Sequence, residues 1–122
     1  ALVATCAAAT ARDRYLAEGH ELLDVPGSNG HVDLRKLLLE LAARGVNEVL
    51  VEAGPRLAGA FARAGLVDEY RIFMAPKLLG SSARPLLELP LNRMAEAPQL
   101  KILDIRAVGD DWQVTAVPER QP

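Results

Sequence analysis

The 122-residue chain is poor in several things, and each shortage removes a class of function. A single cysteine, Cys6, leaves no disulfide framework and no cysteine-rich zinc site within the chain. Aromatic residues make up only 4% of the chain while half of it is hydrophobic, so the core has to be built from Leu, Val and Ala, as in many α/β domains. There is no excess of positive charge: 14 basic residues against 16 acidic ones leave a formal charge of −2, and the basic residues are scattered. That pattern argues against a nucleic-acid face and an anionic membrane surface, and points to a small molecule or another protein as partner. No apolar run approaches the ~18 residues that span a bilayer, and the N-terminus lacks the basic start and apolar centre of a signal peptide. A soluble, cytoplasmic protein is expected. The chain has no initiator methionine and Ala1–Thr5 already reads as a strand, so it is expected to begin in mid-protein.

What is present alternates. Residues 1–6 read as a short strand, and Thr10 is placed to cap a helix over 11–18, with Asp13 at its third position and Gly19 as its stop. Glu21–Val25 reads as a weaker strand and Pro26–Gly30 as a turn-rich loop. Asp33 caps the clearest helix, in which Leu34, Leu37, Leu38, Leu41 and Ala42 fall at i, i+3, i+4, i+7 and i+8, with Gly45 closing it. Glu48–Ala53 is the next strand, Pro55–Ala64 the next helix and Tyr70–Ala75 the strand after that. Such alternation predicts βαβ units and a largely parallel sheet in one domain spanning residues 1–122. From Pro76 the pattern changes. Lys77–Arg93 is rich in Pro, Gly and Ser without a sustained period, and reads as a long loop of the kind that often carries function. Leu100–Val108 and Trp112–Val117, separated by Gly109-Asp110-Asp111, read as an antiparallel hairpin. Leu100, Ile102, Leu103 and Ile105 alternate imperfectly, which suggests a bulge, and the tail Pro118–Pro122 is expected to fray.

The chemistry concentrates in "VLVEAGPRLAGAF", residues 49–61. Val49-Leu50-Val51 is apolar on both faces, as a central parallel strand should be, and parallel α/β sheets bind ligands at the carboxyl ends of such strands. Glu52 sits at that end. Gly54 lets a ligand approach the backbone, and Pro55 suits the first helical position because its missing N–H would be unpaired there in any case. The N–H groups of Arg56, Leu57 and Ala58 then point out of a helix start that carries partial positive charge, a place for phosphate. Ala58, Gly59, Ala60 and Ala62 keep the first turns slim. Glu52 would repel that anion, so its part is to accept hydrogen bonds from a neutral or cationic portion of the ligand, such as sugar hydroxyls or an amino-heterocycle. Ordinary helix punctuation explains the same residues without any ligand. The stretch is neither a Walker loop, since Ala60-Phe61 stands where Lys-Ser/Thr belongs, nor the G-x-G-x-x-G fingerprint.

Other candidates are poorer. His20 and His31 have no Cys, Asp or Glu at ligand spacing and read as exposed structural residues, so no metal is expected. Cys6 reads as a small buried hydrophobe rather than a nucleophile. Lys77 and Arg84 in the long loop are within the repertoire of phosphate contacts but read as solvated, and Asp68-Glu69 as surface. No Ser/His/Asp triad is present, and no catalytic residue is assigned.

Taken together, "GVNEVLVEAGPRLAGAFARAGLVDEYRIFMAPKLLGSSARPLLE" resembles the reductase domain of the bacterial bifunctional riboflavin biosynthesis deaminase/reductase. The resemblance extends to "GHVDLRKLLLELAARG" before it and "APQLKILDIRAVGDDWQVTAVPE" after it, and "VEAGPRLAGA", "AGLVDE" and "APKLLG" are its specific parts. It implies a dihydrofolate-reductase-like α/β/α fold, with a mostly parallel sheet and a C-terminal antiparallel hairpin. It also implies NADPH-dependent reduction of the ribosyl side chain of 5-amino-6-(5-phosphoribosylamino)uracil, by hydride transfer to C1′. By the same resemblance Glu52 contacts substrate, while Gly54, Pro55, Arg56, Leu57, Ala58, Gly59 and Ala60 bind the NADPH phosphates. The family's upstream reductase strands and its zinc-binding deaminase domain have no counterpart in these residues, so a partial reductase domain is expected, weakly active or inactive alone and pairing its exposed sheet in a homodimer. The competing readings are a nucleotide- or phosphate-binding module without catalysis and an oligomerising α/β module.

Overall fold

A computed structural model of the protein describes residues 1–6 and 9–119. The chain divides into two compact units, Ala1–Leu50 and Val51–Pro122, each with its own small sheet.

The first unit opens as a βαβ element: β1 (Leu2–Thr5), α1 (Ala9–Ala17) and β2 (Glu21–Asp24), with β1 and β2 paired in parallel, Leu2 opposite Glu21 and Thr5 opposite Asp24. A crossover has to intervene, here a helix, because parallel neighbours cannot be joined by a tight turn. Thr10 lies inside α1 and so is not its cap, since the helix already begins at Ala9; Ala7 and Ala8 lie outside the described residues. Leu23 and Val25 are buried, Val25 completely. The loop after β2 folds back on itself: Pro26 bridges Val32, the Gly27 N–H donates to the His31 carbonyl at 2.8 Å, and the Asp33 N–H donates to the Val25 carbonyl at 2.9 Å. Asp33 then caps α2 (Leu34–Ala43), its Oδ1 accepting from the Lys36 N–H at 2.9 Å. That bond satisfies one of the helix's orphan donors, as the sequence leads one to expect. The apolar stripe Leu34, Leu37, Leu38 and Leu41 is half-buried.

The second unit holds α3 (Pro55–Arg63), β3 (Tyr70–Met74), β4 (Leu100–Val108) and β5 (Asp111–Pro118) in a sheet of order β3-β5-β4. Gly65 ends α3 in the left-handed region at φ 63°, and the Leu66 N–H returns to the Phe61 carbonyl at 3.1 Å, a Schellman stop that a side chain at 65 would strain. The hairpin has a two-residue turn, Gly109-Asp110, because Val108 pairs with Asp111; Gly109 has φ 61°. The bulge falls at Leu103, between the paired Ile102 and Asp104. Of the tail, Pro118 is still strand and the Glu119 N–H donates to the Gln99 carbonyl at 2.9 Å, while residues 120–122 lie outside the described residues.

Two expectations need correction. The segment Glu48–Ala53 is not a paired strand: it has no ladder partner among the described residues, Leu50 is 77% exposed, and the division between the units falls inside it. β-branched propensity makes a segment extended, but pairing makes it a strand. The sheet is also not mostly parallel, since β3 runs antiparallel to β5, Tyr70 opposite Ala116 and Met74 opposite Trp112. Only β1 and β2 pair in parallel among the described residues.

Pairing fixes the two faces of the three-stranded sheet, because residues directly opposite share a face. One face carries Ile72 and Met74, Trp112 and Val114, and Ile102 and Ile105; the other, mostly polar, carries Arg71, Phe73, Gln113, Thr115, Asp104 and Arg106. On the polar face Gln113 is buried and its Oε1 accepts from both Nε and Nη2 of Arg106, at 3.0 and 2.9 Å. The apolar face is open: Met74 is 58% and Ile105 53% exposed.

Candidate functional site

The site expected from the sequence is a continuous stretch in the second unit. Glu52 is exposed and its carboxylate has no hydrogen bond or ion pair among the described residues. Two residues later Gly54 is the N-cap of α3, with extended backbone (φ −68°, ψ 169°) and no side chain to cap the helix; Pro55 is the first helical residue. The helix start expected from the sequence is therefore present, without a side-chain cap. The Ala58 N–H donates to the Gly54 carbonyl at 3.1 Å, closing the first helical turn. That leaves the N–H groups of Arg56 and Leu57 as the first-turn donors without a partner inside the helix. The volume a Cβ at Gly54 would enter is open, with no atom within 4 Å, so an anion has access to the backbone there. An acidic side chain at 54 would fill that approach with like charge.

Gly59 and Ala60 do not widen this opening. Gly59 is buried, and a Cβ added to it would overlap the carbonyl oxygen of Glu88 and come within 3.0 Å of that residue's amide nitrogen. Its missing side chain is filled by the loop backbone, which corrects its expected role of leaving room for a phosphate. Ala60 is half-buried. Arg56 is directed to the same loop residue, with Nε 3.8 Å from the Glu88 carboxylate and its side chain 85% exposed. An ion pair this exposed is worth little and leaves the guanidinium available to a stronger anion.

Sequence reasoning missed Arg63 and Glu88. Arg63 Nη1 donates to the Glu88 carbonyl at 2.6 Å, and the Glu88 N–H donates to the Pro55 carbonyl at 3.0 Å. The signal was present in "RPLLELP", where Pro85 and Pro90 bracket an apolar segment inside an otherwise patternless loop. The residues weighed in that loop, Lys77 and Arg84, are exposed and make no side-chain hydrogen bond or ion pair among the described residues. Two shallow grooves lie along the same loop, one lined by Leu91–Met94 and Ala97 and one by Arg63 with Pro85 and Leu87–Pro90; neither includes Glu52 or Gly54.

The remaining candidates lie apart from α3 in sequence and make local contacts or none among the described residues. His20 is half-buried, its Nδ1 3.5 Å from the Ala1 amino group, its Nε2 3.6 Å from Glu18, and its ring beside Tyr15. His31 is exposed. Cys6 is half-buried, less than expected, and its thiol donates to the Gly30 carbonyl at 2.9 Å. Glu69 pairs with Arg71 at 2.8 Å on the surface. Among the described residues no three His, Cys, Asp or Glu side chains come together as a metal site, and no helix is long and apolar enough to cross a membrane.

The profile of a family described as the RibD C-terminal domain matches residues 2–114. The riboflavin biosynthesis protein RibD of Escherichia coli K12 is 52% identical over 88 residues, which is 71% of this chain and 24% of that protein. The 5-amino-6-(5-phosphoribosylamino)uracil reductase of Buchnera aphidicola subsp. Acyrthosiphon pisum is 32% identical over 93 residues, 75% of this chain and 45% of that protein. Among solved structures, RibD of Acinetobacter baumannii (form 2) superposes with a TM-score of 0.82 at 28% identity, over 97% of this chain and 31% of that one. The mixed α/β architecture, with one parallel and one antiparallel sheet, is thus close to that of RibD structures. The chain spans about a quarter of the length of the first of these relatives.

Proposed function

The chain belongs to the RibD C-terminal domain family, and from that premise we propose that it serves the reductase step of riboflavin biosynthesis, NADPH-dependent reduction of the ribosyl side chain of 5-amino-6-(5-phosphoribosylamino)uracil to the ribityl form. The name of the Buchnera relative, a 5-amino-6-(5-phosphoribosylamino)uracil reductase, supports the substrate, and the 52% identity to the Escherichia coli protein supports the pathway. In this reading residues 1–122 are part of a reductase domain with dihydrofolate-reductase-like layering. NADPH, when bound, supplies the hydride; this chain's own residues bind and orient.

The observation that carries the reading is the open start of α3. It presents two backbone donors, at Arg56 and Leu57, below an uncapped Gly54, with a lone exposed carboxylate, Glu52, two residues away. The donors suit a cofactor phosphate, and Glu52 suits the hydroxyl- and amino-bearing substrate and is repelled from the phosphate. A helix start contributes about 0.3–1 kcal/mol to an anion at an exposed site, whereas micromolar affinity needs about 8 kcal/mol. The helix start therefore orients the phosphate and supplies only a part of its binding energy. The apolar face of the β3-β5-β4 sheet, open at Met74, Trp112, Ile102 and Ile105, supports a homodimer.

The test is NADPH oxidation driven by 5-amino-6-(5-phosphoribosylamino)uracil, compared between the wild-type and Glu52→Ala forms of a protein that carries these residues within a complete reductase domain. The expected outcome is loss of turnover with NADPH binding retained. Full turnover and unchanged substrate affinity in Glu52→Ala would remove Glu52 from the site, and NADPH binding without any turnover in wild type would favour the non-catalytic nucleotide-binding reading.

A further inference from the structure

We infer that Glu88 is a positioning residue for the start of α3, clasped to the helix by its backbone with Gly59 as its seat. The inference rests on the reading of that helix start as the cofactor's anion site. Pro55, Gly59 and Arg63 are spaced four residues apart and so lie one above another on a single face of α3. Glu88 engages all three. Its N–H donates to the Pro55 carbonyl at 3.0 Å, its carbonyl accepts from Arg63 Nη1 at 2.6 Å, and its backbone occupies the space where a Cβ of residue 59 would sit. Helical side chains lean toward the N-terminus, which aims Arg63 back over Gly59 and onto Glu88. Pro85 and Pro90 bracket the strap and lower the entropy that it loses on docking.

The strap acts on the turn that exposes the anion-binding donors. Pro55 is the first helical residue, and the N–H groups of Arg56 and Leu57 take their direction from the same turn. Helix propensity alone says that Gly59→Ala should stabilise α3, because glycine is the poorer helix former. The clasp says the reverse, because the atom that a methyl group would displace is backbone carbonyl, which cannot swing aside as a flexible side chain can.

Amide hydrogen exchange and NADPH titration on the 122-residue chain separate these. In wild type the amide of residue 88 is expected to be protected although it lies in a loop. In Gly59→Ala that amide and the Ala58 amide should exchange about tenfold faster with Val114 in β5 unchanged, and NADPH should bind about tenfold more weakly. Arg63→Ala should move the same readouts, Arg63→Lys should restore part of them, and Glu88→Gln should leave the protection of residue 88 intact. If Gly59→Ala does not fold, the Arg63 pair decides. Unchanged protection of residue 88 in the variants that fold, or its loss in Glu88→Gln, overturns the clasp; lost protection at 88 with Ala58 and NADPH affinity unmoved overturns its positioning role. Should wild type take up no NADPH, the anion reading falls, and the Ala58 amide alone decides whether the strap holds the first turn.

Discussion

A carboxylate that faces solvent and bonds to nothing can be removed without disturbing the fold, and Glu52 is in that position among the described residues. Surface changes of this kind lie within about ±0.5 kcal/mol of wild-type stability. Any effect of Glu52→Ala therefore belongs to the ligand. Losing a charge-assisted hydrogen bond to substrate costs about 1.5–3 kcal/mol, roughly ten- to a hundredfold in apparent substrate affinity, and it should leave the NADPH isotherm where it was. Urea unfolding run beside the kinetics shows whether the separation holds. Gly59 is the opposite case: buried, filled from outside by Glu88, and invisible to a reading of local pattern because its neighbour lies 29 positions along the chain (88 − 59). A small residue in a helix reads equally well as room for a ligand or room for backbone. Only the position of the loop decides between them, and here it decides for backbone.

At the scale of elements, what was legible in the sequence was what local chemistry sets. The Asp33 cap, the ends of α3 at Pro55 and before Gly65, the Gly109 turn and the bulge at Leu103 all follow from residues within a few positions of the feature they control. What was not legible was pairing. Tyr70–Met74 is extended as expected, but its partner β5 lies far along the chain and runs against it, and Val49–Val51 has strand propensity with no partner among the described residues. One element has a pH dependence of its own. In the short 3₁₀ turn Met94–Glu96, Arg93 Nε donates to Glu96 Oε1 at 2.9 Å and the Asn92 N–H donates to Oε2 at 3.0 Å. The Arg93 bond first, and then the Asn92 N–H, hold the Glu96 carboxyl below its ordinary value of 4.5. Because the folded value is depressed, the turn's support is complete above about pH 4.5 and is lost as pH falls through the lower, folded value. The Asn92 amide resonance is expected to titrate with a midpoint below 4.5, with the β4–β5 hairpin unmoved; a midpoint at or above 4.5 would mean that the two bonds do not favour the ionised form.

At the scale of the whole molecule, the open apolar face of the β3-β5-β4 sheet is a feature that function has to account for. Ile102, Ile105, Met74 and Trp112 are each about half exposed on one side of three strands, an apolar grouping of the kind that marks an interaction surface. Self-association through this face is the expected outcome, read by sedimentation at micromolar concentration, and Ile105→Lys should shift the protein to monomer without unfolding it. A monomeric wild type would leave the face unexplained by a second copy. The central claim concerns the start of α3 in the same unit, where Gly54, Arg56 and Leu57 are proposed to receive an anion. The most direct measurement is a titration with NADPH, followed by nicotinamide fluorescence, of the wild-type chain and of Gly54→Asp. Saturable binding by wild type that Gly54→Asp abolishes is the predicted result; binding that Gly54→Asp leaves intact, or no binding by wild type, would contradict the account.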